Sequence, residues 1–197
     1  MTPNWLVAHA SYIDSAHSVT AKQLTFNAGS VYYAALLKVP MIPAGWLQIS
    51  TPLTVKIVVS HDVSIGTSHD SDISYGVSDG VRFVGILTRD KINYDRFAPC
   101  HGYEGTSGTT LTEIKQISNS SPKTSDNYPG QFVFTLKLDQ RWGSCYTAQD
   151  AGLVNTAIYN RGKRLMLNKG LTLEVYKESK GERVGIKYIE VTVIQDA

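Results

Sequence analysis

The chain has 197 residues, 42% of them hydrophobic, which is enough to bury a full core within a single domain, here 1–197, of a size common among all-β sandwiches. Charged residues make up 18% and the net charge is +2 with no Lys/Arg block, so the electrostatic footprint of a nucleic-acid binder is missing and nucleic acid is not an expected partner. No run approaches the roughly 20 apolar residues of a membrane-spanning helix, and the stretch 1–10 lacks the charged start and apolar run of a secretion signal; the expectation is a soluble chain, either already free of its signal or belonging inside a cell.

Apolar residues recur with period two while no window sustains helical spacing, so the expected class is all-β. In chain order, the first strand candidates are 5–13, 19–26, 31–38 and 46–50. The run Ala34, Ala35, Leu36, Leu37 also suits a short helix over 31–41. The clearest strand follows Pro52, with Leu53, Val55, Ile57 and Val59 on the core face and Thr54 and Lys56 on the other. Then come 73–78, 81–88 and 110–117. After the Pro129-Gly130 turn signal, Phe132, Phe134, Leu136 and Leu138 alternate with Val133, Thr135 and Lys137. Candidates 154–159 and 164–167 precede a strand with Leu171, Leu173 and Val175 inward and Thr172, Glu174 and Tyr176 outward. The last run, 186–194, sets Ile189, Val191 and Val193 against Tyr188, Glu190 and Thr192, and the short polar stretch 179–182 before it reads as a hairpin link or a sign of neighbouring strands. About a dozen short strands spaced near ten residues suit a sandwich better than a small barrel. Segments 91–108 and 118–128, rich in Gly, Ser, Asn and Pro, read as long loops, where function usually sits in a sandwich.

The run Asp72-Ile73-Ser74-Tyr75-Gly76-Val77-Ser78-Asp79-Gly80-Val81-Arg82-Phe83-Val84-Gly85 resembles a central hairpin of concanavalin A-like lectin and glucanase domains, in which a strand ends in Ser-Asp-Gly. The stretch from Gly170 to Tyr176 and from Tyr188 to Val193 looks like their closing strands. The resemblance implies an antiparallel two-sheet jelly-roll sandwich, one sheet flatter and convex, the other concave and often carrying a carbohydrate site. It specifies a fold rather than a ligand. The paired carboxylates of a Glu-x-Asp-x-x-Glu strand, used by retaining glucanases of this fold, are not found here, nor is the galectin His-x-Asn-x-Arg strand.

Several constellations carry candidate chemistry. Asp62, Asp70 and Asp72, with neighbouring Ser hydroxyls and carbonyls, offer oxygen ligands for Ca²⁺, although the spacing does not match an EF-hand; the alternative is a solvated turn in which Asp and Ser cap their own backbone. Arg89, Asp90, Tyr94, Arg96, Tyr103, Glu104 and Trp142 lie in or beside the long loops, where aromatic faces stack on sugar C–H groups and planar charged groups hold hydroxyls. The alternative places Trp142 and Tyr103 as core lids at the sandwich ends. Cys100 and Cys145 are compatible with one disulfide or with two thiols. Asn119-Ser120-Ser121 is an N-glycosylation acceptor pattern, followed directly by Pro122. No Gly-x-Ser-x-Gly elbow, triad pattern or phosphate loop is present, so catalysis is not expected.

Two functions remain. One is a secreted carbohydrate-binding module that reads a glycan or glycoprotein, with Ca²⁺ ordering its loops. The other is an extracellular structural or adhesion module that binds another protein or a second copy of itself.

Overall fold

The computed structural model describes residues 10–14, 17–20, 23–26, 33–48, 52–62, 71–90, 96–104, 111–116, 121–122, 131–138, 143–147, 156–157, 165–177 and 184–195. Fifteen strands run through them: β1 (Tyr12–Ile13), β2 (His17–Val19), β3 (Leu24–Phe26), β4 (Ala35–Ile42), β5 (Leu53–Asp62), β6 (Ser71–Ser78), β7 (Arg82–Asp90), β8 (Arg96–Glu104), β9 (Leu111–Gln116), β10 (Ser121–Pro122), β11 (Gln131–Leu138), β12 (Gly143–Thr147), β13 (Thr156–Ala157), β14 (Leu171–Lys177) and β15 (Val184–Gln195). A 3-10 turn, Leu167–Lys169, leads into β14.

The strands form two antiparallel sheets. Sheet I has the order β1-β4-β14-β6-β7-β8-β10, with β9 also on β8; sheet II has the order β13-β12-β11-β5-β15-β3-β2. Consecutive strands change sheets at β1–β2, β3–β4, β4–β5, β5–β6, β10–β11, β13–β14 and β14–β15, so at these steps neighbours in sequence lie in different layers. The expected pairing of the last two strands is therefore corrected: β14 lies between β4 and β6 in sheet I, and β15 between β5 and β3 in sheet II.

Between the sheets lies one apolar core. Leu53, Val55, Ile57 and Val59 of β5 are buried and Lys56 is exposed, as the alternation predicts. Phe132, Phe134, Leu136 and Leu138 stand directly opposite those four residues, on the same face by register. From sheet I the core takes Leu37, Val39, Ile73, Tyr75, Val77, Val84, Ile86, Leu173 and Val175. Burial of such side chains contributes about 1.5–3 kcal/mol each, and this term holds the two layers together.

Of four register shifts among the described strands, two reset which residues reach the core. In β15, Ile186 pairs with His61 and Tyr188 with Ser60, so Lys187 is the extra residue; Lys187 and Tyr188 are both exposed, and Ile186 and Ile189 both reach the core. In β4, Leu37 pairs with Val175 and Ala35 with Tyr176, so Leu36 is extra and joins Leu37 in the core. The apolar run that also suited a helix is thus a bulged strand buried on both faces.

At the centre of sheet I, Gly76 of β6 and Gly85 of β7 face each other. A Cβ on Gly85 would collide with the backbone carbonyl of Tyr75 and come within 2.7 Å of Gly76 Cα. Backbone cannot yield as a flexible side chain does, so Gly85→Ala is expected to cost about 3 kcal/mol, the upper part of the usual overpacking range, read as a lower urea midpoint at unchanged slope.

Candidate functional site

Three turns meet at one end of sheet I. Ile42, the end of β4, is opposite Leu171, the start of β14, and Thr172 is opposite Ser78, the end of β6. The turn after β4 is Pro43-Ala44-Gly45-Trp46, closed by the Trp46 N–H donating to Pro43 O at 3.4 Å. Gly45 has φ +84°, the sign a type II turn demands at its third residue and one that a side chain rarely tolerates. The second turn joins β6 to β7. Asp79 Oδ1 accepts the N–H groups of Val81 at 2.9 Å and Arg82 at 2.8 Å, while Ser78 Oγ accepts from Gly80 at 2.9 Å. The third turn, 165–170, is tightened by Lys169 N–H donating to Met166 O at 2.9 Å and Gly170 N–H to Leu167 O at 3.1 Å.

These turns are bonded to one another. Asp79 Oδ2 accepts the Met166 N–H at 2.7 Å across 87 residues of sequence, and Gly45 N–H donates to Asn168 O at 2.9 Å. The platform is therefore pinned from below by a buried carboxylate, and on it the Trp46 side chain stands 78% exposed. Among the described residues the exposed aromatics are Trp46 and Tyr188. The Tyr188 hydroxyl donates to Glu190, and that hydrogen bond to a carboxylate raises the phenol above its ordinary range. Trp46 presents an aromatic surface on fixed backbone, a form in which an indole stacks well on an apolar ligand face.

The outer face of sheet I, turned away from sheet II, is buried too. Lys38 Nζ lies 3.1 Å from Glu174 Oε1, the Tyr176 hydroxyl donates to Glu174 Oε2 at 2.5 Å, and the Lys38 ammonium sits 5.5 Å from the Tyr176 ring centre. Phe83 meets Tyr176 edge to face at 5.1 Å, and Ala35, Leu87 and Cys100 complete this second cluster. Thr172, Glu174 and Tyr176 do point outward as expected, but Glu174 and Tyr176 do not reach solvent. A ligand cannot rest on this face where these side chains are sealed.

The sequence-based site is split by the fold. Segment 91–108 is not one long loop: β8 crosses it, with Arg96 opposite Arg89 at one end and Tyr103 opposite Arg82 at the other. Seven residues of strand separate the ends by about 23 Å. Arg89, Asp90 and Arg96 thus stand apart from Tyr103 and Glu104, which lie at the Trp46 end of sheet I. Asp62 ends β5 in sheet II, and Asp72, opposite Arg89, lies near the start of β6 in sheet I. Asp70, Tyr94, Asn119 and Trp142 lie outside the described residues.

The disulfide expectation is corrected. Cys100 is a buried thiol whose Sγ donates to Ser74 Oγ at 3.7 Å, and it belongs to the outer-face cluster of sheet I. Cys145 is in β12 of sheet II, on the other side of the core from that face, so the register of the two sheets points Cys100 away from it. Trp46 was missed because 46–50 was read as a strand; its signal was the Pro43-Ala44-Gly45 turn in front of it.

No protein-family model and no curated protein matches the chain. Solved structures do. A GH43 glycoside hydrolase engineered to display both endo-xylanase and exo-arabinofuranosidase activity is similar at TM-score 0.57 and 15% identity over 87% of this chain; the chain spans about a third, 34%, of that enzyme. A legume lectin-like domain from Entamoeba histolytica is similar at TM-score 0.57 and 6% identity, covering 98% of this chain and 93% of that one. A functionally unknown protein from Saccharomyces cerevisiae gives TM-score 0.51 and 8% identity over 96% of this chain and 99% of that one. Together with the two antiparallel sheets, these likenesses establish the fold as the concanavalin A-like jelly roll that the Ser78-Asp79-Gly80 hairpin implied.

Proposed function

We propose that this chain is a non-catalytic carbohydrate-binding module that works outside the cell and takes its ligand on the turn platform around Trp46. The observation that carries this reading is a highly exposed indole at the rim of a jelly roll, on a turn bonded to 165–170, which is itself bonded to Asp79. A sugar ring covering about half of the indole surface would remove on the order of 100 Å² from water, about 2.5 kcal/mol. The lectin-like and hydrolase likenesses add support at the level of fold. The glycan ligand is itself the argument for an extracellular role, since the buried Cys100 thiol takes the disulfide away from that case.

A glycan array with and without EDTA tests the module and the Ca²⁺ dependence assigned to Asp62, Asp70 and Asp72 together. Trp46→Ala is expected to weaken binding by at least about tenfold, equivalent to 1.4 kcal/mol, at an unchanged melting temperature. Binding that survives this substitution would move the ligand elsewhere. The alternative of an adhesion module draws on Tyr188 and Ile194, 46% and 52% exposed on one face of β15. A concentration-dependent oligomer disrupted by Tyr188→Ala would favour it.

A further inference from the structure

We infer that the saccharide held at the Trp46 platform carries an acidic group, a carboxylate or sulfate, which Lys169 meets. This inference rests on the proposed binding role and narrows its ligand class. The charged residues of the three turns, 43–48, 79–82 and 165–170, are Asp79, Arg82 and Lys169. Asp79 is buried and each of its carboxylate oxygens accepts backbone N–H groups, so the one negative charge of the platform faces inward. Arg82 is half-buried at the start of β7, and Lys169 is exposed.

Lys169 directly follows Asn168, whose carbonyl takes the Gly45 N–H of the tryptophan's own turn. The backbone that carries Lys169 is thus tied through one residue and one hydrogen bond to the turn that carries Trp46. Glu104, the acidic residue that register brings to the same end, sits on β8, four strands from β4 and about 19 Å away at the usual strand spacing. Among the described residues of the three turns, the charge exposed to solvent is that of Lys169. A ring whose C–H face covers Trp46 while an acidic substituent extends toward Lys169 matches both features; a neutral sugar leaves the ammonium unused.

The test is a titration following tryptophan fluorescence, with lactose against sialyllactose and neutral cello-oligosaccharides against oligogalacturonate, at low salt and at 0.5 M NaCl. Wild type, Trp46→Ala and Lys169→Gln are compared; both positions are exposed, so folding is not at stake. The acidic member of a pair is expected to bind about fivefold tighter at low salt, the worth of one exposed ion pair. Lys169→Gln and high salt should erase that preference and leave neutral binding unchanged. Equal affinity for both members, or a preference that survives Lys169→Gln, overturns the inference while Trp46-dependent binding keeps the carbohydrate reading. Failure of every sugar to bind overturns both.

Discussion

Glu174→Ala is expected to lower the stability of the chain by about 3–5 kcal/mol, a fall of roughly 10 °C in melting temperature for a domain of this length. Glu174 is almost wholly inaccessible, and its two oxygens divide between the Lys38 ammonium and the Tyr176 hydroxyl. Removing it takes a partner from a buried cation and from a buried phenol hydroxyl at once, and each loses that compensation for its desolvation. Lys38→Ala should cost somewhat less, because Glu174 keeps the Tyr176 hydrogen bond. The replacement Lys38→Met with Glu174→Leu removes both charges and keeps volume, so it should match or exceed wild type, as buried ion pairs exchanged for apolar groups often do. Urea unfolding of the four proteins decides the matter. If Glu174→Ala loses under 1 kcal/mol, the outer face is wetter than its burial implies.

That network also explains why the outer face of sheet I is a poor place for the ligand. Phe83, Leu87, Tyr176 and Cys100 are as inaccessible there as the residues between the sheets, so around this network sheet I is buried on both sides. The Gly76–Gly85 pair at its centre lets β6 and β7 approach closely under this packing. The rim at the β4–β14 end, by contrast, presents the exposed Trp46 and is stiffened by Asp79.

How far all this could be read from residue order depends on what each segment buries. β5 buries one face, so strict alternation named its core residues correctly, and the register of β11 sets its own alternating residues opposite them. β4 and β14 bury both faces, and there hydrophobic patterning loses its contrast: a run such as Ala34–Leu37 fits helix and strand alike, and Glu174 and Tyr176 look like surface residues. Sheet membership was beyond reach for β14 and β15, since hydrophobic alternation is a local property and the sheet switch is not. The site suffered from the same locality. Arg96, Tyr103 and Glu104 are close in sequence, but a strand puts its ends far apart. Trp46, Asp79 and Met166 are distant in sequence yet share a chain of hydrogen bonds.

Asp79→Ala is expected to cost about 4 kcal/mol and, unlike the Glu174 change, to weaken the ligand platform as well. The carboxylate accepts three backbone N–H groups, and such charge-assisted bonds contribute about 1.5–3 kcal/mol each. The sum is reduced because Val81 is 43% exposed and water can replace part of its bond. Asp79→Asn separates the two functions of the side chain. Its amide oxygen can still accept Val81 and Arg82, but its NH₂ group then faces the Met166 N–H, donor against donor. Stability should fall by roughly half as much, with the β6–β7 turn intact and the tie to 165–170 broken. Hydrogen exchange should therefore quicken at Lys169, Gly170 and Gly45 in both variants, whereas Val81 and Arg82 should respond mainly in Asp79→Ala. Sugar binding should weaken in parallel with exchange at Gly45, because Trp46 would lose the fixed backbone that orients it. If Asp79→Asn exchanges and binds like wild type, the bond from Met166 to Asp79 does not support the tryptophan, and its rigidity comes from the turn 43–46 alone.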